Sequence, residues 1–245
     1  MDDNNNWFGI DKTAHIFTRT SLFSVSNSEA HKKVKGQKLV CPDGFEIEYT
    51  GERLSQYDRD VSLVLKKLAL KCTDRPIVQF RATDVFRTFK YKKYGKSDLI
   101  LLHDSLKRML IDSTFCFSQK DGLSFEGPNA NFFHFDEKSK VFSTIMNEKW
   151  INFFIHNNEK SSLDMDQRMR LPRGVCRWLH GYWSSFDEIE PVHIDFLRML
   201  SGSKEKRRAN FKQTIKGCLV ALEKAKFLSP GSIISKDGWV FAVKA

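Results

Sequence analysis

The stretch PVHIDFLRML SGSKEKRRAN FKQTIKGCLV ALEKAKFLSP GSIISKDGWV FAVKA, from Pro191 to Ala245, decides the fold. His193 to Leu200 reads as a short helix with Phe196, Leu197 and Leu200 on its apolar side. Ser201-Gly202-Ser203 is a tight turn. A long helix is expected from about Lys204 to Lys226, because Phe211, Ile215, Leu219 and Leu222 recur at helical spacing and would pack on the short helix. Phe227 to Ser229 begins a strand, Pro230-Gly231 turns it, and Ile233 to Ser235 runs back. Lys236-Asp237-Gly238 is a hairpin turn before Trp239 to Val243. Short helix, turn, longer helix and hairpin is the order of a helix-turn-helix with a wing.

The longer helix carries a second pattern. Lys204, Arg208, Lys212 and Lys216 recur every four residues as a basic ridge, with Lys206, Arg207, Asn210 and Gln213 beside it. A major groove admits one helix, and Arg, Asn and Gln can pair bidentately with base edges. The N-terminal half of such a helix enters the groove, and that half holds the Arg, Asn and Gln. Lys236 in the wing turn is placed to meet backbone phosphate. The bland alternative is a solvated basic helix face. The flanking turn and hairpin favour DNA binding.

Upstream, the same outline occurs in a longer form. A helix is expected from Ser55 to Lys71, a strand at Ile77 to Phe80, a short helix from Thr83 to Phe89, and a helix from Asp98 to Asp112 with Ser97 as N-cap. Hairpin-type segments follow at Thr114–Ser118, Leu123–Phe125, Asn131–Phe135, Val141–Met146 and Ile151–His156. His15 to Val25 reads as a strand, and Ser26 to Gly44, with Lys32, Lys33, Lys35 and Lys38, as a mobile loop. Lys92, Lys93, Lys96, Lys107 and Arg108 form a thinner basic group around the Asp98–Asp112 helix, readable as a DNA contact or as a packing or dimer surface. The fold class is therefore α+β: two tandem winged-helix domains. The expected organisation is a disordered N-terminus over 1–14, a first winged helix over 15–158 and a second, DNA-binding one over 159–245. The polar break Asn157 to Ser162 marks the boundary.

Charge and composition agree. The chain has 245 residues and a formal charge of +10, of which a net +7 lies between Ser201 and Ala245. Such a balance favours a polyanionic partner. At 41% hydrophobic and 29% charged, with a mean hydropathy of −0.42, the chain is globular rather than disordered. The longest apolar stretches are far below the roughly 20 residues of a membrane span, so no membrane partner is expected, and the polar N-terminus is no secretory signal. The five cysteines are scattered and are read as reduced, mostly buried thiols rather than a disulfide framework or a zinc site. The seven histidines form no metal-ligand spacing, and no phosphate-binding glycine motif occurs. His180 beside Trp178 reads as a core residue. Asp164 and Asp166 read as partners for Arg168, Arg170 or Arg173 rather than as metal ligands. No nucleophile, base and orienter can be named together, so neither an enzyme nor a cofactor is expected.

Three stretches carry a family resemblance. Tyr49-Thr50-Gly51-Glu52-Arg53-Leu54-Ser55-Gln56-Tyr57-Asp58-Arg59-Asp60-Val61 resembles the Y-T-G-E-x-L-x-Q-x-D-x-D-V stretch of TrfA-like plasmid replication initiators. Arg19-Thr20-Ser21-Leu22-Phe23-Ser24 is similar to the strand that precedes it in that family. Tyr94-Gly95-Lys96-Ser97-Asp98, followed by Leu102, Ser105-Leu106 and Arg108-Met109, resembles its glycine turn and helix. The likeness runs from about Ile16 to Val243, and Ser26 to Phe45 departs from it. The resemblance implies tandem winged helices that bind repeated double-stranded sites, or iterons, at a plasmid origin. It implies help in opening an adjacent AT-rich region and contacts with host replication proteins such as the replicative helicase and initiator. It leaves a homodimer open, and it places the protein in the bacterial cytoplasm, with the nucleoid or plasmid. The alternative function is a winged-helix transcriptional repressor without origin melting. A rolling-circle nicking enzyme is disfavoured, since Tyr94 and Tyr182 lack a partnering histidine pair.

Overall fold

The computed structural model describes residues 18–26, 31–41, 45–71, 77–119, 124–148 and 163–245. Along the chain, β1 is Phe23–Ser24, β2 Lys33–Lys38, β3 Phe45–Glu52 and β4 Leu54–Ser55, followed by α1, Gln56–Lys71. Then come β5 (Ile77–Arg81), α2 (Ala82–Thr88), α3 (Lys96–Leu110), β6 (Thr114–Gln119), β7 (Ser124–Gly127), β8 (Ala130–Asp136) and β9 (Val141–Met146). The later part holds α4 (Met165–Arg170), α5 (Val175–Ser184), β10 (Val192–His193), α6 (Ile194–Leu200), α7 (Arg208–Lys224), β11 (Ile233–Ile234) and β12 (Trp239–Phe241).

The two halves share one plan. In the first, α1, β5, α2, α3 and the β8–β9 hairpin follow in order, and the sheet runs β5-β9-β8. In the second, α5, β10, α6, α7 and the β11–β12 hairpin follow, and the sheet runs β10-β12-β11. Both sheets are antiparallel, with the last strand in the middle. This is the winged helix twice, and the fold is α+β as expected. Each half has its own apolar cluster. Val61, Leu65, Phe86, Leu102, Leu106 and Phe142 lie in the first, and Leu179, Trp183, Leu197, Phe211, Ile215, Leu222 and Val240 in the second. Burying such side chains contributes about 1.5–3 kcal/mol each.

Local chemistry sets the helix ends. Asp58 in the first turn of α1 accepts the Ser55 N–H at 2.7 Å, and the Ser55 hydroxyl accepts the Asp58 N–H at 3.4 Å, a reciprocal cap. The α3 helix begins two residues before the expected start. The Asp98 carboxylate accepts the Gly95 N–H at 2.8 Å, which makes Gly95 rather than Ser97 the cap. The α7 helix spans Arg208–Lys224, shorter than expected at the front. Ser203 Oγ accepts the Glu205 N–H and the Glu205 carboxylate accepts the Arg207 N–H at 2.9 Å, and this local bonding holds the approach in an extended path. Asp164 caps α4, accepting the Asp166 and Gln167 amides at 2.7 and 3.2 Å.

Three expectations are corrected. The lysine-rich segment after Ser26 contains a strand, β2, in the sheet β2-β3-β6-β7. A bulge between Val34 and Gln37, with Gly36 at φ +59°, breaks the alternation that would have disclosed it. Across the bulge Lys33 lies opposite Glu52 and Lys38 opposite Glu48 in the register, and Lys38 Nζ lies 4.0 Å from Glu46. Of the strand read at His15 to Val25, residues 18–25 are described, and among them only Phe23–Ser24, β1, is a strand, which pairs in parallel with β4. Cys176 on α5 and Cys218 on α7 are joined as a disulfide with Cα atoms 4.8 Å apart, where reduced thiols were expected. Their separation of 42 residues gives no sequence signal, and close packing of the two helices brings them together. The segments 1–14 and 151–156 and the boundary Asn157 to Ser162 lie outside the described residues.

The halves meet at a buried polar seam. The Arg168 Nε donates to Asp60 Oδ1 at 2.6 Å, and Arg177 Nη1 pairs with Asp60 Oδ2. Arg168 Nη2 donates to Gln56 Oε1 at 3.0 Å, and Gln56 Nε2 donates to the Phe23 carbonyl at 2.6 Å. His180, fully buried against Phe227, lies beside this seam. Its burial and the neighbouring Arg168 push its pKa down to about 3. It is a core residue, as expected, although its Nδ1 finds no partner among the described residues.

Candidate nucleic-acid interface

The second wing is fastened to α7 by two residues of the basic ridge, Arg208 and Lys212. Arg208 Nε lies 3.3 Å from Asp195 Oδ2, and Arg208 Nη2 donates to the Asp237 carbonyl at 2.5 Å and sits 2.9 Å from His193 Nε2. Lys212 Nζ donates to the Ser235 and Lys236 carbonyls at 2.7 and 3.3 Å. Gly238 closes the turn at φ +101°, and a Cβ there would come within 2.5 Å of Arg208 Nη2. The turn thus requires glycine twice over, for its backbone and for the arginine above it. The i, i+4 ridge therefore divides: Arg208, through Nη2, and Lys212, through Nζ, brace the wing turn, while Arg208 Nε is held by Asp195 of α6.

What remains is the opposite face. Phe211, Ile215, Cys218, Leu219 and Leu222 point into the core. At 100° per residue, Gln213 lies diametrically opposite that stripe, with Ala209, Lys216, Gly217 and Val220 around it. All five are exposed. The side chains of Gln213 and Lys216 make no hydrogen bond or ion pair among the described residues. Nothing lies within 4 Å of the Cβ position of Gly217, and Ala209 is small, so a ligand can approach the backbone closely. Asn210, also exposed, touches the Glu205 side chain, whose carboxyl is held below its usual range chiefly by the Arg207 amide. Lys204, Lys206 and Arg207 lie on the extended approach to α7, and Lys236 at the wing tip, all exposed. Arg198 supports the approach by donating to the Lys206 carbonyl at 3.3 Å.

The first winged helix is built differently at the same place. Lys92 and Lys93 in the α2–α3 turn and Lys96 at the start of α3 are exposed. Lys107 is exposed and 4.0 Å from Asp112. Arg108 is not at the surface: its side chain is 7% exposed and donates to Asp58 Oδ1 at 2.8 Å and to Glu52 Oε2 at 3.4 Å. Its reading as a DNA contact is corrected. It ends an α3 face buried against α1, where Ser105 Oγ donates to the same Asp58 oxygen at 2.7 Å. The outward face of α3 shows Ile100, Asp104 and Lys107, with Ile100 51% exposed.

Sequence reasoning missed the wing anchors His193 and Asp195 and the seam residues Asp60 and Arg177, and Arg168, read as a partner for Asp164 or Asp166, pairs instead with Asp60 while Asp164 caps α4 and Asp166 pairs with Lys90. Asp60 carried a signal: a carboxylate one residue before Val61 on the apolar side of an amphipathic helix must find a buried cation. Arg177 beside Trp178 and Leu179 carried its complement. The polar residues of the Tyr49–Val61 stretch prove to be structural. The Tyr49 hydroxyl donates to the Glu52 carbonyl at 2.5 Å, Asp58 holds α3, and Gln56 and Asp60 hold the second half. Among the described residues, no helix is long and apolar enough to cross a membrane, and no three His, Cys, Asp or Glu side chains group as metal ligands.

No family model and no curated protein matches the chain. Among solved structures it is similar to domains 2 and 3 of RctB, in a selenomethionine derivative, with 13% identity and a TM-score of 0.64 over 91% of this chain and 94% of that one. A second structure of RctB domains 2–3 matches with 12% identity and a TM-score of 0.63 over 95% and 97%. At such identities the likeness establishes the fold, and it spans nearly the whole of each chain.

Proposed function

We propose that this protein is a plasmid-type replication initiator that binds repeated double-stranded DNA sites at an origin through its winged helices. The face of α7 that shows Gln213, Lys216 and Gly217, unpartnered and beside a wing braced by Arg208 and Lys212, carries the reading. In this reading α7 enters the major groove, Gln213 and Asn210 meet base edges, and Lys204, Lys206, Arg207, Lys216 and Lys236 meet phosphates. Lys92, Lys93 and Lys96 of the first winged helix add phosphate contacts. The TrfA-like stretches support iteron binding, opening of the adjacent duplex and recruitment of the host helicase and initiator.

The test is a footprint on the DNA flanking the gene, followed by permanganate probing of a supercoiled plasmid carrying the protected repeats. Protection at regularly spaced repeats with unpaired thymines beside them is expected. Protection without unpaired thymines would make the protein a repressor, and no protection at all would end the DNA reading.

A further inference from the structure

We propose that Asp60 sets the spacing at which the protein reads DNA, by holding the two winged helices in one orientation. The proposal rests on the duplex-binding reading above. Asp60 stands on α1 of the first winged helix, with its side chain 2% exposed, yet both its oxygens serve arginines of the second half. Each arginine is fixed in turn. Arg168 Nη1 donates to the Arg177 carbonyl at 2.5 Å and Nη2 to Gln56, while Arg177 Nε donates to the Leu171 carbonyl at 3.1 Å. Charge-assisted bonds of this kind are short and directional, so they define an angle as well as a contact.

Other ties join the halves through the segment before β2: Arg19 Nη2 donates to the Ser185 carbonyl at 2.6 Å, Ser24 Oγ to the Gly202 carbonyl at 3.2 Å and the Val25 N–H to the Ser201 carbonyl at 3.1 Å. They hold that segment, whereas Asp60 ties the core helix α1 itself, and the remaining ties are exposed. Lys90 to Asp166 at 2.9 Å and Arg173 to the Tyr91 hydroxyl at 3.0 Å lie in solvent, where such pairs are screened and contribute little. A buried ion pair is also a weak source of net stability, since desolvation offsets its attraction. What it supplies here is one permitted arrangement. Two DNA-binding modules locked at one angle can engage together only where their sites have the matching offset along and around the duplex. Inserting five base pairs turns one site by about half a helical turn relative to the other.

The experiment compares full-length wild type, Asp60→Asn and Gln56→Ala. The first arm, without DNA, uses small-angle X-ray scattering and calorimetry. Wild type should scatter as one rigid particle and melt in a single transition, and Asp60→Asn should scatter as an ensemble and melt in two steps. The second arm measures affinity for the footprinted duplex with zero, five or ten base pairs inserted between the two modules' contacts. Wild type should lose about 100-fold with five inserted and recover part of it with ten, whereas Asp60→Asn should lose only a few-fold with either. Gln56→Ala removes one anchor of Arg168 and leaves the ion pair, and it should lie between the two. It carries the comparison if Asp60→Asn does not fold. Unchanged scattering in the variants overturns the lock whatever the DNA arm gives. Loosened scattering with equal spacer discrimination overturns the assignment to spacing. If wild type binds no duplex, the DNA reading and the spacing role fall together, and the scattering arm still tells that failure from failure of the lock.

Discussion

The two winged helices place a helix in the same position and give it different surfaces. On α7 the outward residues are Gln213, Lys216 and Gly217 with Ala209 and the exposed Val220 beside them, and every buried side chain from Phe211 to Leu222 is apolar or a cysteine. On α3 the outward residues include Ile100 and Asp104, and the cation at Arg108 is turned inward. The topology therefore presents a helix without prescribing its chemistry. Whether that helix can read DNA is decided by which face holds the polar residues. The difference also explains the wings: Arg208 and Lys212 brace the second wing, while the rings of Phe133 and Phe135 pack around His103 of α3 in the first.

The largest effect that separates the two helices is on stability. Arg108→Ala leaves Asp58 charged and buried, and should lower the unfolding free energy by about 3–5 kcal/mol in urea titration. Lys216→Ala on α7 should change it by no more than about 0.5 kcal/mol. A mild Arg108 variant with selectively impaired DNA binding would return Arg108 to the interface.

Next comes the wing. Gly238→Ala places a Cβ against the Arg208 guanidinium at a positive φ and should cost about 1–3 kcal/mol of strain. Arg208→Ala should weaken binding to cognate and scrambled duplexes alike, because it positions the wing and reads no base. Gln213→Ala should behave otherwise, losing about 1–3 kcal/mol on the cognate site only. Lys216→Ala should weaken both duplexes and flatten the salt slope by about 0.9. A cognate-selective loss for Arg208→Ala would show that its donors leave the wing when DNA binds.

Much of this was legible in the sequence, for a physical reason. Helices and wings are local, so spacing such as Phe211-Ile215-Leu219 and turns such as Lys236-Asp237-Gly238 announce them. The division of the basic ridge was not legible. Periodicity places Lys204, Arg208, Lys212 and Lys216 on one line, but whether a donor faces DNA or its own wing depends on a hairpin that returns 23 to 29 residues later. The seam was hidden for the same reason at greater range, with Asp60 and Arg177 lying 117 residues apart. The bulge at Gly36 hid β2 by interrupting the period that identifies a strand.

A further effect separates the halves by pH. His180 in the second half has a pKa near 3 when folded and near its ordinary 6.5 when unfolded. The unfolded chain therefore binds the extra proton first. Its contribution to stability is whole above pH 6.5 and is lost as pH falls from there toward 3, at up to about 1.4 kcal/mol per pH unit. His180→Phe should flatten that slope in urea midpoints measured between pH 7 and pH 5. An unchanged slope would place the acid sensitivity in other groups.

The smallest effect tests the comparison most directly. If α3 lacks a reading face, Ile100→Ala and Lys107→Ala should each leave cognate affinity within about 0.5 kcal/mol and folding stability within the same margin, as exposed positions do. The lysines before α3 are the internal control. Replacing Lys92 and Lys93 together should weaken cognate and scrambled duplexes equally, and should lower the salt slope by about 0.9 for each phosphate contact removed. That pattern would assign the first winged helix to positioning and the second to recognition. A cognate-selective loss at Ile100 or Lys107 would mean that α3 reads bases through apolar and single-charge contacts. The inward turn of Arg108 would then no longer distinguish the two helices.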